Sequence, residues 1–200
     1  MMFLVSLLSR FMHNPSKHYF GAAKRVLRYV KGTLNYGFRY GRMDVFKLYS
    51  YTNSDWTGCA DSRKRTSRFV HSLGSGVISW ATKKQQSSAL LSSEAEYITT
   101  ISAACQTIWL RRILAGLQER QDGATQIYCD NKSTIAMTKN PMFYGCTKHT
   151  EVWHQFIQDL VDKEEIQMEY YSTNDQLMDI FTKALEKEKF YKFRRQLGVS

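Results

Sequence analysis

The chain has 200 residues, 43% hydrophobic and 14% aromatic, with 28 Lys and Arg against 18 Asp and Glu for a net charge of +10. That is enough apolar material for one ordinary core, and it excludes a disordered, collagen-like or low-complexity protein. With 2 prolines and 11 glycines, a linker-rich array is excluded too. The charge is unevenly placed: residues 1–43 carry eight bases and no acid, and the remainder carries 20 bases against 18 acids. A phosphate-rich partner and a solvated basic helix face both suit such a segment.

The opening Met1–Ser9 is apolar but lacks the basic start and small-residue cleavage site of a signal peptide. Phe3, Leu4, Leu7, Leu8, Phe11 and Met12 instead repeat as one apolar face of a helix. Lys17–Val30 puts Phe20, Ala23, Val26, Leu27 and Val30 on one face and bases on another, and Lys31-Gly32 ends that helix. Tyr36–Tyr40 and Phe46–Thr52 read as short aromatic strands, and Arg68–Leu73 with Gly76–Thr82 reads as a hairpin turned at Gly74-Ser75. Ser92-Ser93-Glu94 opens a long helix reaching about Gln118, with Arg111 and Arg112 placed to suit its C-terminal dipole. A strand at Thr125–Cys129 follows, then helices at Lys132–Lys139 and about His149–Lys163, and a strand at Ile166–Tyr171. Asn174 or Asp175 caps a last helical region running through Lys187–Arg195. This order is mixed α/β.

Cys59, Cys105, Cys129 and Cys146 stand far apart, which predicts reduced buried thiols rather than disulfides or a zinc framework. No run reaches the roughly 18 apolar residues of a membrane span, so no membrane partner is expected. Trp56, Trp80, Trp109 and Trp153 read as core residues. His149 and His154 read as helix-surface or packing residues, because their spacing suits no shared metal. Asp159, Asp162, Glu164 and Glu165 form a solvated helix end.

Four acids stand where chain geometry concentrates active sites: Asp55 after the first long strand, Glu96 in the first turns of the long helix, Asp130 after the strand TQIYC, and Asp179 after the last strand. Carboxylates converging there would form an oxygen-only site suited to Mg²⁺, and a pair of ions about 3.5–4 Å apart would suit phosphodiester hydrolysis. From spacing alone, scattered acids that never meet remain the simpler reading.

The segments SDWTGCADSRKRTS (54–67), ISWATKKQ (78–85), LSSEAEYITT (91–100), ACQTIWLRRIL (104–114), IYCDNKSTIAM (127–137) and NDQLMDIFTKAL (174–185) resemble, in order, the C-terminal ribonuclease H domain of Ty1/copia-type retrotransposon Pol polyproteins. Residues 3–43 resemble the end of the reverse transcriptase and its connection, which divides the chain at 1–43 and 44–200 and places the remainder of a Pol polyprotein outside it. The resemblance implies a ribonuclease H-like mixed five-stranded sheet, three antiparallel strands and then two parallel ones, flanked by helices, with an N-terminal helical extension. It also implies Mg²⁺-dependent hydrolysis of RNA in an RNA–DNA hybrid by a two-metal site. Glu96, Asp130 and Asp179 match the second, third and fourth acids: Asp130 as a direct ligand, Glu96 bridging or positioning water, Asp179 completing the second metal site from an exposed final helix.

At the first position, where the family usually has aspartate, this chain reads Thr52-Asn53-Ser54-Asp55-Trp56. Asparagine offers one neutral carbonyl and cannot bridge two cations as a carboxylate does. Asp55 lies on the same strand face, displaced by roughly 6–7 Å, so weak or absent hydrolysis is expected. Arg63, Lys64, Arg65 and Arg68, with Lys83 and Lys84, could form a basic edge that positions phosphates; a solvated hairpin is the alternative. A catalytically dead nucleic-acid-binding remnant is a second reading. A third is a secreted effector, since a short apolar start followed by Arg25-Val26-Leu27-Arg28 resembles the RxLR layout. An intracellular setting, cytoplasm or nucleus, is favoured over secretion.

Overall fold

The computed structural model describes residues 5, 8–9, 11–42, 46–55, 65–85, 92–139, 148–172, 176–181 and 185–200. Most of the apolar opening, Trp56, Cys59, Arg63, Lys64, Cys146 and the expected cap at Asn174 or Asp175 lie outside the described residues. Two units are distinguished, residues 1–37 with Ser200 and residues 38–199.

The first unit holds α1 (Lys17–Gly32), bounded as its sequence predicts. The Ser16 hydroxyl accepts from the Tyr19 N–H, and the Thr33 N–H closes the other end on the Val30 carbonyl. No α1 residue is buried; Phe20 and Leu27, on the apolar face, are 62% and 68% exposed.

The second unit is built on β1 (Leu48–Asp55), β2 (Thr66–Leu73), β3 (Gly76–Lys84), β4 (Thr125–Cys129) and β5 (Ile166–Tyr170). They form one sheet in the order β3-β2-β1-β4-β5. β1, β2 and β3 pair antiparallel, and β4 and β5 join parallel. The expected three-plus-two arrangement is therefore present. β1 runs three residues past the predicted end at Thr52, because Asn53, Ser54 and Asp55 pair with Arg68, Ser67 and Thr66. The hairpin turns at Gly74, whose φ of +58° is a conformation glycine adopts without strain. The predicted strand Tyr36–Tyr40 is reduced to a single bridge between Phe38 and Val199. Gly37 interrupts this run and Gly41 follows it, which leaves it too short for a ladder.

Helices α2 (Ser92–Gly116), α3 (Lys132–Lys139) and α4 (Lys148–Asp162) cover one face of the sheet. Their core joins Tyr97, Ile101, Ala104 and Ile108 of α2 to Ile127 and Cys129 of β4 and to Met168 of β5. The other face carries Val70 and Val77 under a 3-10 turn (Leu177–Phe181) and α5 (Lys187–Gln196), which contribute Leu177, Met178 and Phe193. The last helical region is thus two elements rather than one.

Three further expectations are corrected. Trp80, Trp109 and Trp153 are 57%, 54% and 45% exposed; Trp109 points outward between buried Ile108 and Leu110, and Trp80 lies on the edge strand. Cys105 is exposed. Arg111 does not cap the helix dipole, since α2 ends more than a turn later; its guanidinium donates to the Gly123 carbonyl at 2.9 Å and to Thr125 Oγ1 at 2.8 Å.

A polar seam runs between α2 and the hairpin. Gln85 Nε2 donates to Ser67 Oγ and to the Ala95 carbonyl, each at 2.9 Å, and Thr99 Oγ1 donates to Ser67 Oγ at 2.8 Å. Farther along, the buried His71 ring lies 2.9 Å from Thr107 Oγ1. Burial pulls the His71 pKa from 6.5 down to about 4, partly opposed by the Ala103 carbonyl, which favours the charged ring. The unfolded chain therefore takes up this proton first, and the stabilisation present above pH 6.5 is lost as the pH falls through about 4. Measured by chemical denaturation against a His71→Gln variant, the natural chain is expected to lose about 3 kcal/mol more over that window. Identical pH dependence of the two proteins would contradict the assignment.

Candidate metal centre

Parallel pairing brings the C-terminal ends of β1 and β4 to one edge of the sheet, and α2 begins beside them. β1 presents Asn53 there, 6% exposed, and ends at Asp55, whose side chain lies outside the described part of the structure. Glu96 of α2 is also 6% exposed, and its Oε1 accepts the Ser54 backbone N–H at 2.8 Å. Its Oε2 is buried with no hydrogen-bond partner among the described residues. Cys129, the last residue of β4, is fully buried, and half-buried Asp130 follows it. Glu96, Cys129 and Asp130 each offer one ligand atom, and these atoms lie within 4.8 Å of one another.

Burial pushes the Glu96 pKa from 4.5 up to about 7; the nearby Asp130 charge adds to this, while the Ser54 N–H and Arg65 oppose it. The Cys129 thiol is pushed up to about 12 by burial and then by the Glu96 charge. Without a cation, the Cys129 thiol keeps its proton at neutral pH, and Glu96 is close to its midpoint.

Asp179 does not stand on an exposed helix as expected. It lies in the 3-10 turn, 3% exposed, and its Oδ2 is 3.6 Å from Lys189 Nζ of α5. The turn drives Leu177 and Met178 into the core, which carries Asp179 inward, and Lys189 offsets its charge. Among the described residues it does not join the group formed by Glu96, Cys129 and Asp130.

Of the expected basic edge, Arg65 is half-buried, with its charge acting on Glu96. Lys83 is exposed, and Lys84 stands opposite Thr66 with its side chain outside the described part. Arg68 is 4% exposed and directly opposite Asn53, so it is a buried neighbour of that position rather than part of a solvated edge. Cys129 is a site residue that the sequence reading does not single out; its place in the alternation that buries Thr125, Ile127 and Cys129 is the signal that puts it on the inner face. The described group supplies two carboxylates and a thiol; Mg²⁺ is commonly held by one or two carboxylates with waters completing its octahedron, so Glu96 and Asp130 could hold such an ion.

The sheet order, strand directions and covering helices define a ribonuclease H-like α/β domain. No protein-family model matches the chain. It is 34% identical over 198 residues, 99% of its length, to the retrovirus-related Pol polyprotein from transposon RE1 of Arabidopsis thaliana, and it spans 14% of that protein. It is also 40% identical over 106 residues, 53% of the chain and 75% of the other protein, to secreted RxLR effector protein 161 of Plasmopara viticola. Among solved structures, a foamy viral protease-reverse transcriptase in complex with dsDNA superposes with a TM-score of 0.51 at 15% identity, covering 80% of this chain and 30% of that one. The chain belongs to the copia-type retrotransposon Pol family.

The raised Glu96 pKa has a stability consequence. The folded chain holds this proton more tightly than the unfolded one, so stabilisation present below pH 4.5 is lost as the pH rises through about 7. In the presence of a chelator, a Glu96→Gln variant, which keeps an acceptor for Ser54, should be spared a loss of about 3 kcal/mol across that interval. Denaturation curves for the two proteins at matched pH values check this, and parallel curves would contradict it.

Proposed function

We propose that this chain is a nucleic-acid-binding ribonuclease H-like domain whose Mg²⁺-dependent hydrolysis of RNA in an RNA–DNA hybrid is crippled at Asn53. The observation that carries this reading is the convergence of Glu96 and Asp130 at the end of β1, beside an uncharged Asn53. When bound, divalent cations in such a centre would activate water and stabilise the leaving oxygen. Asp130, half-buried at the end of β4, would ligate a cation directly. Glu96 is fixed through Oε1, which leaves Oε2 to face a cation or water. Asp179, paired with Lys189, would have to exchange that partner to take part. Asp55 is a strand step from Asn53, roughly 6–7 Å, whereas misplacement by about 1 Å already costs about 10²-fold in a positioned reaction.

The test is Mg²⁺-dependent cleavage of a labelled RNA–DNA hybrid. Asn53→Asp is expected to raise the rate by about 10²-fold or more, and Asp130→Asn in that background to abolish it. Equal rates for the natural chain and Asn53→Asp would overturn the proposal. Hybrid binding without cleavage in either form would favour the binding remnant instead.

The similarity to an effector gives a second reading a specific footing. The tetrad Arg25-Val26-Leu27-Arg28 lies inside α1, where an amphipathic helix accounts for all four residues. A reporter fused to residues 1–45 is therefore expected to stay inside the cell, and its secretion would support the effector reading.

A further inference from the structure

We propose that the outer edge of β5 pairs antiparallel with β5 of a second copy of this chain, centred on Met168, so that two sheets join into one. β5 ends the sheet order, and among the described residues no strand pairs with its outer side. The Thr125 N–H donates to the Glu165 carbonyl and the Tyr171 N–H to the Cys129 carbonyl, so the odd-numbered residues here turn their backbone groups toward β4. Ile166, Met168 and Tyr170 therefore direct their N–H and C=O groups outward. No proline interrupts the strand, and an open row of this kind is a template for strand addition.

The sequence of the strand, IQMEY, selects a second copy over an arbitrary peptide. With Met168 opposite Met168, Ile166 stands opposite Tyr170 and Gln167 opposite Glu169, and each contact recurs across the two-fold axis. The residues with outward groups then meet one another, so each such pair exchanges both hydrogen bonds and both edges are saturated. Exposed Gln167 and half-buried Glu169 share the other face, and their chemistry already matches within one chain, where Gln167 Nε2 donates to Glu169 Oε1 at 2.6 Å. Across the axis the same amide meets the same carboxylate. A one-residue slip would set outward backbone groups against residues that face β4. A two-residue slip would set Glu169 opposite Glu169 or opposite Glu165, so like-charge repulsion holds the register.

A cavity gives this edge an anchor point. About 460 Å³ in volume, it is lined by Thr138 and Lys139 of α3, Val161 of α4, and Ile166 and Met168 of β5. Tyr170, 48% exposed, lies on the same face of the strand as Ile166 and Met168, where Lys132 Nζ sits 4.8 Å from its ring centroid. In the paired register, the Tyr170 ring of the second copy stands opposite Ile166, at this cavity. Burying it there adds apolar area to the backbone bonds. The contact is small, which suits a weak, concentration-dependent dimer rather than an obligate one. It uses none of Asn53, Glu96, Asp130 or Asp179, so it stands whether or not the chain cleaves a hybrid.

The experiment is sedimentation equilibrium of the full chain under reducing conditions at about 0.3 M salt, which screens the net charge of +10. A monomer–dimer equilibrium in the roughly micromolar range is expected. Gln167→Glu, at an exposed position, sets a carboxylate opposite Glu169 on both sides of the axis and should weaken the dimer about tenfold. Adding Glu169→Gln exchanges the two partners and should return the dissociation constant to within about threefold of the natural value. Tyr170→Ala should weaken association by about tenfold as well. A chain that stays monomeric up to about 0.5 mM would overturn the proposal. So would a dimer of unchanged strength in a Gln167→Glu protein with natural circular dichroism, since association would then use another surface. Should Gln167→Glu fail to fold, Gln167→Lys sets a cation opposite Glu169 and is expected to tighten the dimer; no tightening there would count equally against this edge.

Discussion

The site depends on a single hydrogen bond, from the Ser54 backbone N–H to Glu96 Oε1 at 2.8 Å. The register of β1 with β4 runs to Tyr51 opposite Tyr128, and Ser54 lies beyond it. A strand that outruns its neighbour leaves a backbone donor without a ladder partner on that side, and a buried donor of that kind must be satisfied. Glu96 satisfies it from α2, which pins the start of the helix to the end of the strand. That contact fixes one carboxylate oxygen of a side chain that lies within reach of Cys129 and Asp130.

A helix held to a sheet through polar contacts carries buried titratable groups, and two of them oppose each other. His71 rejects a proton because it is buried neutral, and Glu96 retains one because its carboxylate is desolvated. As the pH rises from acid to neutral, one gains stabilisation while the other loses it. The seam of Ser67, Gln85 and Thr99 between them is tied together by hydrogen bonds among the three side chains and the Ala95 carbonyl. It fixes the height at which Glu96 meets β1, so the same polar packing that orients the site also makes its energetics depend on pH.

Asn53 shows how far residue identity alone carries. Its departure from the family's aspartate is readable from the sequence, and so is the loss of a charge. That Arg68 stands buried opposite it is a matter of strand register, and the pairing changes the meaning of the substitution. A carboxylate at 53 would meet a buried guanidinium as well as any cation, whereas a neutral amide makes no such demand on Arg68. Asp179 teaches the converse. Its position after the last strand was legible, but a 3-10 turn that buries Leu177 and Met178 brings it against Lys189, and among the described residues it is not one of the cation-ligand group.

The elements and their order were legible without any structure. Alternation marked Thr125–Cys129, a two-residue turn marked the hairpin, and helical spacing with a terminal glycine marked α1, because these signals are local and act within a few residues. Local signals are blind to which neighbour a side chain meets. The exposure of Trp80, Trp109 and Trp153, and the reach of Arg111 into the Gly123–Thr125 loop, followed from that neighbourhood rather than from residue type. The joining of Cys129 to Glu96 and Asp130 was likewise decided by tertiary contacts. Glu96 and Cys129 are 33 positions apart in sequence, and only parallel pairing of β1 with β4 under α2 brings the three ligand atoms within 4.8 Å.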